Sequence, residues 1–573
     1  TNLGRSRDST GVFTVGGLSF DEAPYGFYPL PAKGIGSGMR MGVGMSTARD
    51  SSMVSVNTLK FDLTSQLNRF NQFKTGFEFN HTLSDVNYAS VDAYLSASNT
   101  YSKWNRNPLR FAAYVQDKLE FEGMIANVGI RMDVSAPDGD WYDFEPFENA
   151  LGNQARGLDT LLKKTNITPQ VMFSPRLGVS FPITTKSKLF FNYGHFYSMP
   201  TPENLYLTRF IEGNQVTFIA NPNIKLPKTV AYELGYEQDL FDQYLIRISG
   251  YYQDVSQQPA DINYRSGNGS VSYASPEANS YRDVRGFEFT MQKVKGKFFR
   301  ALANYTYRVT TSGYFDFRYS YQNPSDQRNY ERTTTANNQI RPVPAPLARL
   351  VLDFFTPADF GPKVAGINPL GAWSLNLINT WRAGSYRTWT GGGAIAGIEY
   401  NVQDVDRYNT DLRLAKDIRF SKKSSLNMFF EVSNVFGLRY LSMSNAGFFD
   451  GNDYLAYMRS LHMPGDILSE IEGSYLSVPG DDKPGVYRKP GAEYVPIVSS
   501  RDVNAISNPS ERPLYYDYEN NEYYQFKNGV MTKADSKLVD QVLEDKAYID
   551  MPNMNFFNFI NPRTFRLGFR ISF

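Results

Sequence analysis

The sequence has 573 residues, with 59 Lys and Arg against 58 Asp and Glu and a formal net charge of +1, a balance that gives no support to nucleic acid or another polyanion as partner. With no cysteine and three histidines, His81, His195 and His462, it excludes thiolate metal sites, Cys nucleophiles and a disulfide scaffold, and leaves imidazole chemistry scarce. No stretch approaches the roughly 20 consecutive apolar residues of a transmembrane helix, so a helical membrane protein is excluded.

Residues 1–52, rich in Gly, Ser and Pro, read as the end of an outer loop; the alternative makes Val12 to Phe20 a strand. Thr1 to Ser9 lacks a Met start and an apolar core, so the chain is expected to be a mature or partial product of a longer precursor. From about residue 53 onward, period-two alternation dominates. Met124, Ala126, Val128, Ile130, Met132 and Val134 alternate with Ile125, Asn127, Gly129, Arg131 and Asp133. Leu177, Val179, Phe181 and Ile183 alternate with Arg176, Gly178 and Ser180; Val230, Tyr232, Leu234 and Tyr236 with Ala231, Glu233 and Gly235. Phe287, Phe289 and Met291 oppose Gly286, Glu288 and Thr290, and Leu426, Met428, Phe430 and Val432 oppose Asn427, Phe429, Glu431 and Ser433, where Phe429 breaks the rule. The chain closes on Phe565, Leu567, Phe569, Ile571 and Phe573 against Arg566, Gly568, Arg570 and Ser572. Each is a strand with one oily and one wet face.

Connections alternate between short and long. The short ones are Asn68 to Gln72, Glu122 to Gly123, Thr184 to Ser187, Asp239 to Gln243, Lys295 to Lys297 and Ser421 to Ser424, with 356–372 longer than its class. The long ones are 84–105, 135–173, 199–227, 257–280, 309–344, 387–406 and 444–561. Trimmed turns on one rim and elaborate loops on the other are the pattern of bacterial outer-membrane barrels. The prediction is therefore an all-β fold, a transmembrane antiparallel β-barrel over 53–573 with about fifteen strands in this chain and 444–561 a large extracellular loop. Because single-chain bacterial barrels have an even strand number, at least one strand is expected to be missing; Val12 to Phe20 as a sixteenth strand is the weaker reading. Mean hydropathy of −0.42 conceals such spans, since apolar residues are diluted one in two. Within 444–561, spacing predicts helices over Asp453 to Glu472 and Asp535 to Lys546. Tyr515, Tyr516, Tyr518, Tyr523 and Tyr524 are candidates for contact with a ligand or partner, against the plainer reading that they pack the loop on itself.

These residues carry a resemblance. Ala113-Tyr114-Val115-Gln116-Asp117 followed by Val128-Gly129-Ile130-Arg131, then Ser174-Pro175-Arg176-Leu177-Gly178, Phe191-Asn192-Tyr193-Gly194 and Glu233-Leu234-Gly235-Tyr236-Glu237 lie in the order of a known wall. Arg285-Gly286-Phe287-Glu288, Asp411-Leu412-Arg413-Leu414, Glu431-Val432-Ser433-Asn434-Val435-Phe436 and the terminal strand complete it. Together they resemble the C-terminal barrel portion of a TonB-dependent outer-membrane transporter of the Bacteroidota type, SusC-like or a related receptor. The resemblance implies a 22-stranded barrel whose eighth strand lies near residue 53, with the plug domain and first seven strands not recognisable here. It implies import of a scarce nutrient through the outer membrane of a Gram-negative bacterium and outer-membrane lipid around the wall. Its partners would be TonB, reached through a plug or N-terminal segment, and in some members a SusD-like surface lipoprotein. Phe573 resembles the C-terminal signal for barrel assembly.

By parity, Arg131, Arg176, Glu233, Arg247, Glu288, Arg300, Arg413, Glu431, Arg566 and Arg570 fall on the polar face, where they would line a wet lumen and hold a plug. No Gly-x-Ser-x-Gly, His-Glu-x-x-His, P-loop or Gly-x-Gly-x-x-Gly motif points to an enzyme, and no cofactor is implied. His195 is the residue on which an outer-membrane hydrolase would rest, and a satisfied structural histidine is the plainer reading. Asp138, Asp140 and Asp143, or Asp481 and Asp482, offer too few oxygens for calcium and read as turn chemistry. A passive porin or structural barrel in a surface complex is the alternative to active transport.

Overall fold

The structure, a computed structural model, describes residues 12–15, 18–21, 48–90, 100–152, 157–210, 215–293, 295–315, 317–333, 339–364, 368–393, 395, 397–420, 424–441, 451–471, 479–486, 495–545, 559–560 and 562–573. One barrel-class antiparallel sheet dominates it. Its long strands are β1 (Met53–Gln66), β2 (Asn71–Ser90), β3 (Leu109–Phe121), β4 (Met124–Ala136), β5 (Gln170–Thr184), β6 (Ser187–Tyr197), β7 (Lys228–Leu240) and β8 (Tyr244–Arg265). They continue as β9 (Ser272–Lys293), β10 (Phe299–Tyr314), β11 (Leu347–Phe355), β12 (Trp373–Arg382), β13 (Arg407–Arg419), β14 (Ser425–Ser433) and β15 (Thr564–Ser572). Each pairs antiparallel with the next, so the wall is a run of hairpins without a crossover. β1 and β15 stand apart from the strands between them, because both of their faces are exposed almost throughout.

The registers align the apolar rows of neighbouring strands. Phe61, Phe77 and Ala113 lie side by side, as do Tyr193, Tyr232 and Tyr252, and Leu414, Phe430 and Leu567. These rows face outward, with Val171 at 55% and Phe173 at 56% exposure. At about 25 cal/mol per Å² of apolar surface, leaving such a surface in water would cost more than a fold's net stability, so the row faces lipid. Aromatic belts mark its limits. One rim carries Phe70 stacked on Phe121 at 5.7 Å, with Phe241 (81% exposed) and Phe573 (98%) beside short turns. The other carries Tyr193, Tyr232 and Tyr252 at 5.1 and 6.3 Å, and Tyr305 stacked on Trp381 at 6.5 Å. On β12, Trp373 and Trp381 sit on the same outward row eight residues apart. At about 3.4 Å per residue and a tilt of about 40°, that separation is about 20 Å across the membrane, close to the apolar band of outer-membrane barrels.

Phe429, the exception in the alternation, has a physical cause. It lies opposite Gly568, and a Cβ built there would come within 2.2 Å of its ring, so the glycine makes room for the ring to lie flat on the polar face. The Arg413 guanidinium covers the same ring at 4.7 Å. Phe190 repeats the arrangement over Gly235, under Arg247 at 4.7 Å. Aromatic rings thus replace the packing that glycines remove from the wall.

The structure departs from the expected loops in three places. The segment 257–280 is largely strand: β8 and β9 run 22 residues each, pairing from Tyr244 with Lys293 up to Arg265 with Ser272. Above the membrane the ladder passes register shifts between Val255 and Ala260, where Gln257 has φ 59°, and then continues from Ala260 with Glu277 to Arg265 with Ser272; that interruption reads as loop although the backbone pairing persists. Val12–Val15 pairs with Leu18–Asp21 as a separate hairpin, so it is not a sixteenth wall strand. The expected loop helices are shorter, Gly451–Ser460, Gly465–Glu470 and Ser536–Asp545, the first two separated at Pro464, whose ring stops the turn; Glu472 and Lys546 lie outside the described residues. Most of 1–52 and several stretches of 444–561 also lie outside them.

Replacing Gly235 by Ala is expected to destabilise the wall by about 1–3 kcal/mol, the range for overpacking, and trimming Phe190 to Leu in the same chain to recover most of the loss. Urea unfolding midpoints in lipid or detergent measure both.

Candidate functional site

The polar face of β2 to β10, beginning with Lys74 of β2, lines a cavity of about 930 Å³. Tyr114 and Gln116 come from β3, Asn127 and Arg131 from β4, Arg176 from β5, Asn192 from β6, Glu233 from β7, Tyr251 and Gln253 from β8, Glu288 from β9 and Arg308 from β10. They meet there because all share the parity opposite the lipid row, which is set by the registers. A smaller recess of about 250 Å³ adjoins it through Arg131 and reaches Glu78, Arg110, Asp133 and Met199 toward the loops.

Four of the expected residues, Arg131, Arg176, Glu233 and Glu288, line the main cavity. Glu233 accepts hydrogen bonds from the Arg247 guanidinium at 2.8 Å and the Asn192 amide at 3.1 Å, which ties Arg247 to the group. Arg247 lies within 3.6 Å of Glu237 as well. Arg131 Nε donates to Asp133 at 2.9 Å, and Arg176 rests on the Phe196 ring at 4.7 Å. The remaining four of β13 to β15 form a second group: Glu431 pairs with Arg413 at 3.1 Å and Arg566 at 3.5 Å, and Arg570 stands opposite Asn427. Arg300 is in neither group and covers Phe355 at 4.8 Å. These ion pairs are half-exposed and worth at most about 1 kcal/mol each, so they contribute little to the fold. Their charges stay hydrated and free to exchange partners. Sequence reasoning picked out charges alone; it passed over two further charges, Lys74 and Arg308, and the neutral polar groups Tyr114, Tyr251, Gln116, Gln253 and Asn192 of the same parity, all of which line the same cavity.

The outer loops carry their own cores. Trp141, Leu151, Leu158, Val216, Ile219, Val271 and Tyr273 form one cluster, and Trp389, Val402, Leu441, Met458, Leu461 and Met463 another. The second is pinned by Arg387, whose Nε donates to Asp404 at 2.6 Å; burial pushes the Asp404 carboxyl up, and Arg387 pulls it back. A four-stranded sheet at Ile497–Ser500, Leu514–Asp517, Glu522–Lys527 and Val530–Lys533 packs Leu514 against Val539 and Val542 of the Ser536–Asp545 helix. Its tyrosines divide. Tyr515 and Tyr516 are buried, with Tyr515 bonded to Ser510 and Tyr516 packed at a tilt against Tyr523 at 4.9 Å. Tyr524 donates to Glu522, and Tyr518 is exposed.

His195 lies on the outward row of β6, opposite Val230, with its Nε2 2.7 Å from the Tyr193 hydroxyl. Its partner is an interfacial tyrosine rather than a serine or carboxylate, which is no hydrolytic arrangement. The loop aspartates organise turns: Asp138 accepts from the Asn107 backbone N–H, and Arg106 donates to the carbonyls of Asp138 and Asp140. Asp482 accepts from the His462 backbone N–H. Among the described residues no three or more such side chains gather as metal ligands.

The family model described as TonB dependent receptor-like, beta-barrel, matches residues 3–435. Similar solved structures include the copper transporter OprC, 16% identical, with 68% of this chain and 51% of that chain covered and a TM-score of 0.42. The ferric yersiniabactin uptake receptor FyuA from Yersinia pestis is 11% identical, with 69% and 51% covered and a TM-score of 0.42. The outer membrane transporter YddB from Escherichia coli is 12% identical, with 68% and 51% covered and a TM-score of 0.46. The chain spans about half the length of these structures. No curated protein matches it.

In the outer part of β9, burial pushes the Glu277 carboxyl above its ordinary value of 4.5, partly opposed by the Asn221 amide that donates to it at 3.3 Å. A carboxyl whose folded value is raised binds its proton more tightly in the folded state, so the loop body gains stability as pH falls from neutrality through that raised value toward 4.5. Glu277→Gln is expected to remove this slope and to match the acid-form stability at neutral pH. Hydrogen exchange of the loop amides, corrected for intrinsic rates, measures it.

Proposed function

Because the chain belongs to the TonB dependent receptor-like β-barrel family, we propose that it forms the greater part of the wall and outer loops of an active importer in the outer membrane of a Gram-negative bacterium. The loops bind a scarce nutrient, and the nutrient passes into the periplasm when TonB rearranges a plug held against the polar face. The observation that carries this reading is the cavity itself, a wet surface lined by both signs of charge on the side of the sheet away from lipid. A plug needs such a surface: hydrated, weakly paired groups exchange wall partners for plug partners at little cost, so the seal is firm and still releasable.

In this reading Arg131, Arg176, Glu233, Arg247 and Glu288 hold one side of the plug, and Arg413, Glu431, Arg566 and Arg570 another, with Arg300 between them and the short-turn rim. The exposed Tyr518, together with Tyr523 and Tyr524, belongs to the surface offered to cargo or to a SusD-like lipoprotein over the loops. The family is one of receptors and transporters, and no catalytic step is assigned. Segment 444–561 is extracellular, and Phe573 serves both as girdle residue and as assembly signal.

The test is made in cells carrying the full-length receptor. Uptake of the limiting nutrient is expected to stop when TonB is deleted or the proton gradient collapsed, while binding at the surface persists. Uptake that survives both, with steady ion conductance from the purified protein, establishes a passive pore instead. The double variant Glu233→Ala with Arg247→Ala is expected to loosen the seal, raising sensitivity to antibiotics too large for porins several-fold without weakening nutrient binding.

A further inference from the structure

The connection between β11 and β12, residues 356–372, is far longer than antiparallel neighbours need, and none of its described residues lines the cavity. Its far limb folds back against the lipid side of the wall. Lys416 stands on the outward row of β13, directly opposite Trp373 and one step beyond Leu412 and Leu414. Only 6% exposed, its ammonium donates to the carbonyls of Asn368 at 3.0 Å, Pro369 at 3.2 Å and Gly371, and lies 5.5 Å from the Trp373 ring. The Trp373 indole N–H donates to Pro369 at 2.8 Å. All three ammonium protons therefore have carbonyl partners, the condition under which a cation tolerates a site bordering hydrocarbon. The cage fastens the limb to the wall.

What the limb presents is apolar. Phe360, Val364 and Leu370 are exposed, and the Phe360 ring meets Phe298 of the adjoining turn edge-on at 5.5 Å. At this rim the outward row ends in Phe299, stacked on Phe354 at 5.0 Å, and in Trp373, and the caged limb sets Leu370 beside that end of the lipid-facing band. The two turns carry Lys295, Lys297 and Lys363 with Asp359, and Asp242 of the next turn along the rim feels the charge of Lys295. Apolar side chains at a membrane border with lysines beside them are the chemistry of an interfacial anchor in anionic lipid.

We propose that turn 356–372 is a membrane anchor seated in the periplasmic leaflet, with Phe360, Val364 and Leu370 at the boundary between acyl chains and headgroups and Lys416 as the internal clamp that holds it there. The proposal rests on the reading of the wall as membrane-spanning. Its role is to fix the height and tilt of β11 to β13 in the bilayer.

The absence of cysteine in this chain makes single labels clean. Val364→Cys carrying a nitrobenzoxadiazole probe is placed in vesicles of phosphatidylethanolamine and phosphatidylglycerol, beside Gly123→Cys in the two-residue turn, where a side chain meets open space, and Leu352→Cys in mid-wall. Lipids brominated near the headgroup are expected to quench the Val364 probe several-fold more than the Gly123 probe, and aqueous iodide several-fold less. Adding Lys416→Ala is expected to move the Val364 probe toward the Gly123 behaviour. A Val364 probe open to iodide and untouched by bromine, while Leu352 remains lipid-quenched, overturns the anchor alone; loss of lipid quenching at Leu352 too overturns the membrane wall with it.

Discussion

The constraint on which everything else depends is that hydrocarbon offers no partner to a peptide N–H or C=O. Each such group left unpaired there costs several kcal/mol, so a chain without a long apolar helix crosses only as a sheet whose strands satisfy one another. The hairpin-by-hairpin registers of β1 to β15 meet that demand locally, each strand bonded to the next in the chain. Alternation follows at once. With the backbone fully occupied, side chains are divided by the pleat alone, one row to lipid and one to water, and no core forms between two sheets.

The polar row is therefore released from structural duty. Its ion pairs are too wet to stabilise the fold much, and its arginines lie flat on Phe190, Phe196, Phe355 and Phe429 instead of projecting freely. A guanidinium on a ring is worth about 0.5–1 kcal/mol when exposed, enough to park a charge and too little to lock it. That is the energetic character a releasable contact surface needs. The loops, which have no membrane to support them, solve the separate problem of order with small conventional cores around Trp141 and Trp389.

How much was legible in the sequence depended on how strongly a side chain reports its surroundings. Wall strands between Met124 and Ser433 were readable because lipid imposes a period of two, and the ten charged residues fell on the polar face by the same count. The outer halves of β8 and β9 were not, since register shifts near Gln257 interrupt the ladder and Tyr264 and Tyr273 beyond them pack into a loop core instead of facing lipid. Which charges meet was also hidden, because the Glu233 and Arg247 contact depends on register across a hairpin rather than on spacing along it. Gly235 and Gly568 stood in the pattern only as polar-face positions, and their purpose emerges only from the ring lying over each. Tyr515 and Tyr516 illustrate the converse: composition marked them as sticky, and burial shows them spent on packing their own loop.

The most direct test is a cysteine walk along β7, from Val230 to Tyr236, read by a membrane-impermeant maleimide in intact cells and by lipid-soluble quenchers after reconstitution. The account predicts strict alternation, with Ala231 and Glu233 reached only from water and Val230, Tyr232, Leu234 and Tyr236 only from lipid, Gly235 being left out because the Phe190 ring covers it. Labelling of both sets from water, or shielding of the apolar set from lipid by other protein, would contradict it.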